Sequence, residues 1–227
     1  MQKVALVIRG SFSPVHIGHL RHLENIRHYL AHRYDTQVQK AYISLFADSH
    51  HKDERLVQFK HRLKMCQLAT ENMNWVHVDT WEAEQERQPV KLLDVLEHYL
   101  QLPENNGIRV SYVSGLENMD IPEGTDNDEQ MMNAMGLNGI SNEDENKLEK
   151  YGVVSVDIMS SLGIGDTYEC IGFNKTSRKK KEESDEENEI ISVSSRLIHR
   201  YLKEGRSIRY LVPDNVLNYI ESNGLFK

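Results

Sequence analysis

Within ten residues, Gly10-Ser11-Phe12-Ser13-Pro14-Val15-His16-Ile17-Gly18-His19 brings together a glycine turn, two hydroxyls and two imidazoles three positions apart. Side chains at that spacing share one face of a helix start. Beside a helix N-terminus they can donate hydrogen bonds to phosphate oxygens, and the backbone N–H groups there point the same way. This set suits transfer of a nucleotidyl group. In that reaction a phosphate oxygen attacks the α-phosphorus of a nucleoside triphosphate and pyrophosphate leaves. The protein has little covalent work to do; it aligns two phosphates and neutralises developing charge. Gly18, between the histidines, lets backbone come close. The same residues admit two other readings. One is zinc, for which two histidines at i and i+3 are available but no clear third ligand is visible. The other is an ordinary helix start, against which the preceding Gly-Ser-Phe-x-Pro argues.

The elements around this segment must hold it. Val4 to Ile8 is an apolar run that reads as a buried strand, and Leu20, Leu23, Ile26 and Leu30 repeat at helical spacing after it. Gln39 to Phe46 reads as a second strand, and Asp48 to Glu54 as a polar loop. A helix is expected over 56–72, with Phe59, Leu63, Cys66 and Leu68 toward the core. Trp75 to Asp79 alternates like a strand. Val90 to Leu102 reads as a helix, Ile108 to Val113 as a strand ending at Ser114-Gly115, and Tyr151 to Ile158 as one more. Ser194-Ser195 caps a helix carrying Leu197, Ile198, Tyr201 and Leu202, which Gly205 stops. Pro213 opens a last helix with Val216, Leu217 and Ile220 inward, ended by Gly224. Strands alternating with helices predict an α/β fold with a parallel sheet covered on both faces.

Composition narrows the class. A chain of 227 residues with 39% hydrophobic content can bury one sizeable core, so a single domain over 1–227 is expected. Residues 121–150 read as a polar, variable insert. Residues 174–189 carry opposed charge blocks and read as a disordered charged loop. Its Arg178-Lys179-Lys180-Lys181 run reads as solvated charge, with an import signal or a phosphate patch as alternatives. With 27 basic against 35 acidic residues the net charge is −8, which argues against nucleic-acid binding by bulk charge. Cys66 and Cys170 have no metal-ligand spacing and read as free thiols of a reducing compartment. No apolar run reaches the roughly 18 residues of a membrane span. A soluble protein of the cytoplasm or nucleus is expected, with the oligomeric state, a homo-oligomer included, left open.

The opening segment resembles the signature of the nucleotidyltransferase superfamily with its His-x-Gly-His fingerprint. Val76-His77-Val78-Asp79-Thr80-Trp81-Glu82 and Ser207-Ile208-Arg209-Tyr210-Leu211-Val212-Pro213-Asp214 are similar to motifs of the nicotinamide/nicotinate mononucleotide adenylyltransferases, in that family's order. The resemblance implies a Rossmann-like, doubly wound sheet. It implies transfer of AMP from ATP to nicotinamide or nicotinate mononucleotide, with Mg²⁺ accompanying ATP. Residue by residue, it implies that Gly10, Ser11 and Phe12 contact the mononucleotide and that His16 and His19 hold the ATP phosphates. Lys52 matches a lysine reaching the mononucleotide phosphate. Trp81, flanked by Thr80 and Glu82, matches an indole stacked on the pyridine ring. Gly115 and Glu117 match a Gly-x-Asp on a ribose. Ser194, Ser195, Arg196 and His199 match an Ile-Ser-Ser-Thr-x-Ile-Arg segment facing the triphosphate.

The chain departs from the pattern at several points. Ser13 stands for Asn or Asp, Arg196 for Thr, and His199 for an arginine. His199 is mostly neutral at pH 7 where an arginine is always charged and bidentate. Arg209 reads equally as structural or as lying at the phosphate edge. An arginine expected after Tyr151 to Val156 is missing, and so is the second tryptophan the family carries after the Gly-x-Asp region. These losses motivate a rival expectation, a weakened or inactive relative that binds a nucleotide or a protein. A related cytidylyltransferase or pantetheine-type adenylyltransferase is a third reading, but it should lack Asp79-Thr80-Trp81-Glu82.

Overall fold

The computed structural model describes residues 1–49, 56–86, 89–114, 150–156, 168–171 and 193–226. The strand β1 runs Gln2–Gly10, and Val4 to Gly10 are buried without interruption. Such a run suits a strand covered on both faces, where alternation would waste apolar contact. The helix α1 follows over Ile17–Tyr34, burying Leu23, Ile26 and Leu30 on one stripe. The strand β2 is Thr36–Leu45, the helix α2 is Phe59–Thr70, and β3 is Val76–Asp79. The helix α3 spans Leu92–Gln101, followed by β4 at Arg109–Ser114. Two short strands, β5 at Val153–Val156 and β6 at Tyr168–Ile171, precede the helices α4 at Ser195–Lys203 and α5 at Asp214–Asn223.

The six strands form one sheet in the order β3-β2-β1-β4-β5-β6. Five are parallel and helices flank them. In register, Ala41 faces Val76 between β2 and β3, and Tyr112 faces Val153 between β4 and β5. The order reverses at β1. In open parallel sheets the crevice beyond the carboxyl end of the strand at such a reversal is where ligands bind. The segment that follows Gly10 therefore starts at a privileged place.

Three expectations change. The strand expected over 151–158 begins only at Val153, because Gly152 takes φ 89 and turns the chain first. The antiparallel edge strand β6, with Val154 opposite Cys170, had no signal in the sequence. Four residues are too few for periodicity to show, and pairing with β5 makes the strand. In α2 the buried positions are Arg62, Met65, Cys66 and Thr70, while Leu63 and Leu68 are only half-buried. The charged loop over 174–189 and the insert over 121–149 lie outside the described residues. Among the described residues no helix is long and apolar enough to cross a membrane.

The chain forms two compact units. One comprises Met1–Val7, Leu23–Gln39 and Lys91–Ile190; the other comprises Ile8–His22, Lys40–Val90 and Ile191–Lys227. In the first, Ser111 of β4 donates its hydroxyl to the Tyr151 carbonyl at 2.8 Å, and Asn105 donates to the Tyr99 carbonyl at 2.7 Å, tying the turn after α3 to that helix. The second is organised by a buried ion pair. Arg9, near the end of β1, donates from Nε to both oxygens of Glu82 at 3.1 and 3.0 Å. Its Nη2 bonds Glu82 as well and reaches the Val90 carbonyl at 3.0 Å. The Ser44 hydroxyl of β2 donates to the same carboxylate at 2.6 Å. Glu82 is 0% exposed. One carboxylate thus holds β1, β2 and the segment after β3 together.

Removing one member of a buried pair leaves the other charge without compensation, at a cost of about 3–5 kcal/mol. Glu82→Ala should therefore lower the urea midpoint by a large fraction of the total stability, and Glu82→Gln, which keeps the shape, by less. Equal midpoints for the wild type and Glu82→Ala would show that the pair does not hold these segments.

Candidate functional site

The bend after β1 is built under constraint. The Gly10 carbonyl accepts from the Phe46 N–H at 3.0 Å, so the bend leaves the sheet beside the end of β2. Phe12 takes φ 48, in the left-handed region that a bulky side chain occupies only when its surroundings impose it. Its ring is buried and stands edge-on to the His19 ring at 5.0 Å between centroids. Donors from distant parts of the chain bind the bend's carbonyls. Arg62 of α2 gives Nη1 to the Ser11 carbonyl at 3.0 Å. His199 of α4 lies 2.8 Å from the Ser13 carbonyl through Nε2, which must carry the proton since a carbonyl only accepts. The Ser195 hydroxyl donates to the Pro14 carbonyl at 3.2 Å. The Val57 N–H reaches the Ser13 hydroxyl oxygen at 3.3 Å.

The two histidines at the head of α1 are stacked, with centroids 3.6 Å apart and planes 24° from parallel. His16 is the residue before the helix, and its backbone N–H donates to His19 Nδ1 at 3.1 Å. An accepting Nδ1 carries no proton, so neutral His19 holds its proton on Nε2. Both rings are buried. Burial pushes the His16 imidazole down to about 3. It also holds His19 well below its usual value, helped by the neighbouring His16 and His22. Two neutral rings can stack where two cations would repel. His16 Nδ1 is buried with no hydrogen-bond partner among the described residues. An unmet polar atom of this kind costs about 1–3 kcal/mol unless something binds it. The pair therefore fixes an N–H donor on His19, with the unmet His16 nitrogen buried against Gly18.

Gly18 is glycine for a reason of space. A Cβ there would sit 3.0 Å from His16 Nδ1 and 3.2 Å from the Val193 carbonyl. The helix start is also tied down: the Ile17 N–H donates to the Leu211 carbonyl at 2.9 Å and the His19 N–H to the His16 carbonyl at 3.1 Å. The amides of Ile17 and His19 are thus used within the protein, which narrows the expectation that the helix N-terminus aims its amides at a phosphate to the Gly18 N–H and the imidazoles.

At α4, Ser194 caps the helix, its hydroxyl oxygen accepting from the Leu197 N–H at 3.1 Å. Ser195 and His199, expected on the triphosphate, give their protons to the Pro14 and Ser13 carbonyls, so each holds the bend. Arg196 is exposed in the first turn of α4. Arg209 is exposed as well, next to Tyr210 at φ 68 and 77% exposed. After β3, the Thr80 hydroxyl donates to Glu84 at 2.6 Å. Trp81 is half-buried, with its backbone N–H donating to Asp79 Oδ1 at 2.7 Å. Glu82, expected to touch substrate, is corrected: its carboxylate is wholly buried and taken by Arg9 and Ser44. Lys52, Gly115 and Glu117 lie outside the described residues. Every described site residue, from Gly10 to His19, from Thr80 to Glu82 and from Ser194 to His199, belongs to the second compact unit.

Arg62 is the participant that reading for motifs passes over. Its signal was present, since a charged residue stands on the face of α2 that also carries Met65 and Cys66. Among the described residues no three His, Cys, Asp or Glu side chains come together as a metal site. The zinc reading of His16 and His19 also meets their geometry, in which the rings stack and His19 Nδ1 is occupied.

Comparison with known proteins gives a consistent picture. The cytidylyltransferase-like family model matches residues 7–200. The nicotinamide/nicotinic acid mononucleotide adenylyltransferase 2 of Caenorhabditis elegans is 28% identical over 235 residues, covering 100% of this chain and 99% of the relative. The nicotinamide/nicotinic acid mononucleotide adenylyltransferase 1 of Bos taurus is 28% identical over 259 residues, covering 99% and 89%. In fold, the chain matches the Plasmodium falciparum nicotinic acid mononucleotide adenylyltransferase complexed with NaAD, with a TM-score of 0.54 and 15% identity over 100% of this chain and 98% of that one.

The buried histidines set a pH dependence. His22, on α1, is likewise pushed by burial to about 3. In the unfolded chain each of these rings takes up a proton near pH 6.5. Below that value the unfolded state binds more protons than the folded one, so stability falls as pH drops from 6.5 toward 3. The slope reaches about 1.4 kcal/mol per pH unit for each ring. Urea unfolding between about pH 7.5 and about pH 5 should show this decline, and His22→Gln should make it shallower by one proton's worth. Identical slopes for the two proteins would mean that His22 protonates freely in the fold.

Proposed function

The chain belongs to the cytidylyltransferase-like family, and on that premise we propose that it transfers AMP from ATP to nicotinamide or nicotinate mononucleotide, giving NAD or its acid analogue and pyrophosphate. The observation that carries the proposal is the neutral, stacked imidazole pair at the carboxyl end of β1, with the His19 proton held on Nε2 by the His16 N–H. Relatives named for this reaction along almost their whole length support the choice of substrates.

A phosphate oxygen of the mononucleotide attacks the α-phosphorus of ATP. A new P–O bond forms, the bond to the β-phosphate bridge oxygen breaks, and its electron pair leaves with pyrophosphate. Negative charge grows on the α-phosphate oxygens and on the leaving group. His19 Nε2–H is a donor whose tautomer the His16 N–H fixes, and a donor fixed in a buried site needs no reorganisation as charge develops. His16 contributes its ring beside it. Gly10, Ser11 and Phe12 form the bend that would receive the mononucleotide phosphate, and the Trp81 indole would stack on the pyridine ring. With His199 committed to the Ser13 carbonyl, the exposed Arg196 at the head of α4 would be the cation to meet the triphosphate. Mg²⁺ would enter with ATP as part of the substrate and would help neutralise the charge that grows on the triphosphate.

Pyrophosphate release in the presence of ATP, Mg²⁺ and each mononucleotide tests the proposal directly. The wild type should turn over, and His19→Ala should fold while losing about 10²–10³ in kcat, the usual loss for one preorganised donor. Mononucleotide binding without turnover at any ATP concentration would instead favour a non-catalytic relative. An unchanged rate in His19→Ala would remove that side chain from the chemistry.

A further inference from the structure

Arg62 lies on the buried face of α2 and is 0% exposed. Its guanidinium donates from Nε to the Val57 carbonyl at 3.0 Å and from Nη1 to the Ser11 carbonyl at 3.0 Å. Nη2 reaches the Phe46 carbonyl and Asp48 Oδ1, both at 2.8 Å. The Phe59 ring centroid is 5.5 Å from the guanidinium carbon. A buried cation ordinarily faces a buried carboxylate. Here the carboxylate it meets is that of Asp48, whose side chain is 53% exposed, and the other three partners are neutral carbonyls. Asp48 pairs directly with the guanidinium at 2.8 Å, but its own exposure to water weakens that pairing. A positive charge therefore stands directly behind Ser11, offset in part by Asp48.

The hydrogen bonds also set a direction. A trans peptide points its C=O and N–H opposite ways. With the Ser11 carbonyl held on Arg62, the next N–H, that of Phe12, is aimed away from α2. The left-handed φ of Phe12 is kept in place by the same contact. Three carbonyls from three segments converge on one planar fork: the bend after β1, the end of β2 and the entry to α2. A lysine ammonium cannot reproduce that fork.

We infer that Arg62 is a positioning residue for the acceptor substrate: it fixes the Ser11–Phe12 peptide and supplies the positive potential that draws the mononucleotide phosphate to it. The inference rests on the reaction proposed above. It assigns Arg62 no contact with ATP, whose phosphates fall to the imidazoles at the head of α1.

The test is steady-state pyrophosphate release, varying the mononucleotide at saturating ATP and ATP at saturating mononucleotide. Arg62→Lys should raise the KM for the mononucleotide roughly tenfold, the equivalent of one charge-assisted hydrogen bond, and leave kcat and the KM for ATP within about twofold. Asp48→Asn, altered at the half-exposed end of the network, keeps an oxygen that accepts from Nη2 but removes the counter-charge, so it should lower the same KM by about two- to threefold. Should Arg62→Lys fail to fold, Asp48→Asn decides alone. A purely structural role would lower the melting temperature of either variant without moving the mononucleotide KM, and that result, in a wild type that turns over, overturns this inference and leaves the reaction standing. A rise confined to the KM for ATP overturns it equally. A wild type without turnover overturns the proposed reaction, and this inference with it.

Discussion

The bend between β1 and α1 exists because its carbonyls find donors. A buried carbonyl without a partner costs about 1–3 kcal/mol, enough for a few of them to undo a fold of ordinary stability. Here the carbonyls of Ser11, Ser13 and Pro14 bond Arg62, His199 and Ser195, and the Ile17 N–H bonds the Leu211 carbonyl. None of these partners is near the bend in sequence. Residues that would be read as substrate contacts in isolation are therefore the fasteners of the bend. The strained Phe12 backbone follows from the same network, since several anchors on either side leave the residue little choice.

Neutrality is the second consequence of burial. A pair of imidazoles in water would exchange protons near pH 6.5 and turn freely. Stacked and buried, His16 and His19 stay uncharged, and the His16 N–H decides which nitrogen of His19 keeps its proton. A neutral donor of fixed direction suits charge that appears only as a bond breaks, because it does not bind the ground state as tightly as a full cation would. The stability lost as pH falls is the other face of the same burial.

Two arginines in the second compact unit are buried in different ways. Arg9 meets a carboxylate that is itself wholly enclosed, so that charge is cancelled and the pair acts as a joint between β1, β2 and the segment after β3. Arg62 meets carbonyls and a carboxylate that water can reach. The first arrangement is structural in effect. The second keeps a field at the surface of the bend. Both residues lie next to Phe46, whose ring Arg9 approaches at 5.2 Å and whose carbonyl Arg62 binds, so the end of β2 is where the two networks touch.

The sequence by itself determined the elements whose signal is local. The unbroken apolar run of β1, the stripe of Leu23, Ile26 and Leu30, the cap at Ser194 and the left-handed Gly224 after α5 each report a preference of a few neighbouring residues. The paired histidines after a glycine bend were legible for the same reason. What only the tertiary structure decided is where distant side chains spend their hydrogen bonds. Glu82 beside Trp81 reads as a substrate contact until Arg9, 73 positions away, is seen to hold it. His199 reads as a phosphate ligand until the Ser13 carbonyl, 186 positions away, is seen to take its proton. Arg62 on an apolar helix face reads as an accident until three carbonyls converge on it. Local pattern fixes which face of an element is buried; the partner of a buried polar group is chosen by whatever the rest of the chain brings within about 3 Å, and no window of sequence contains that information.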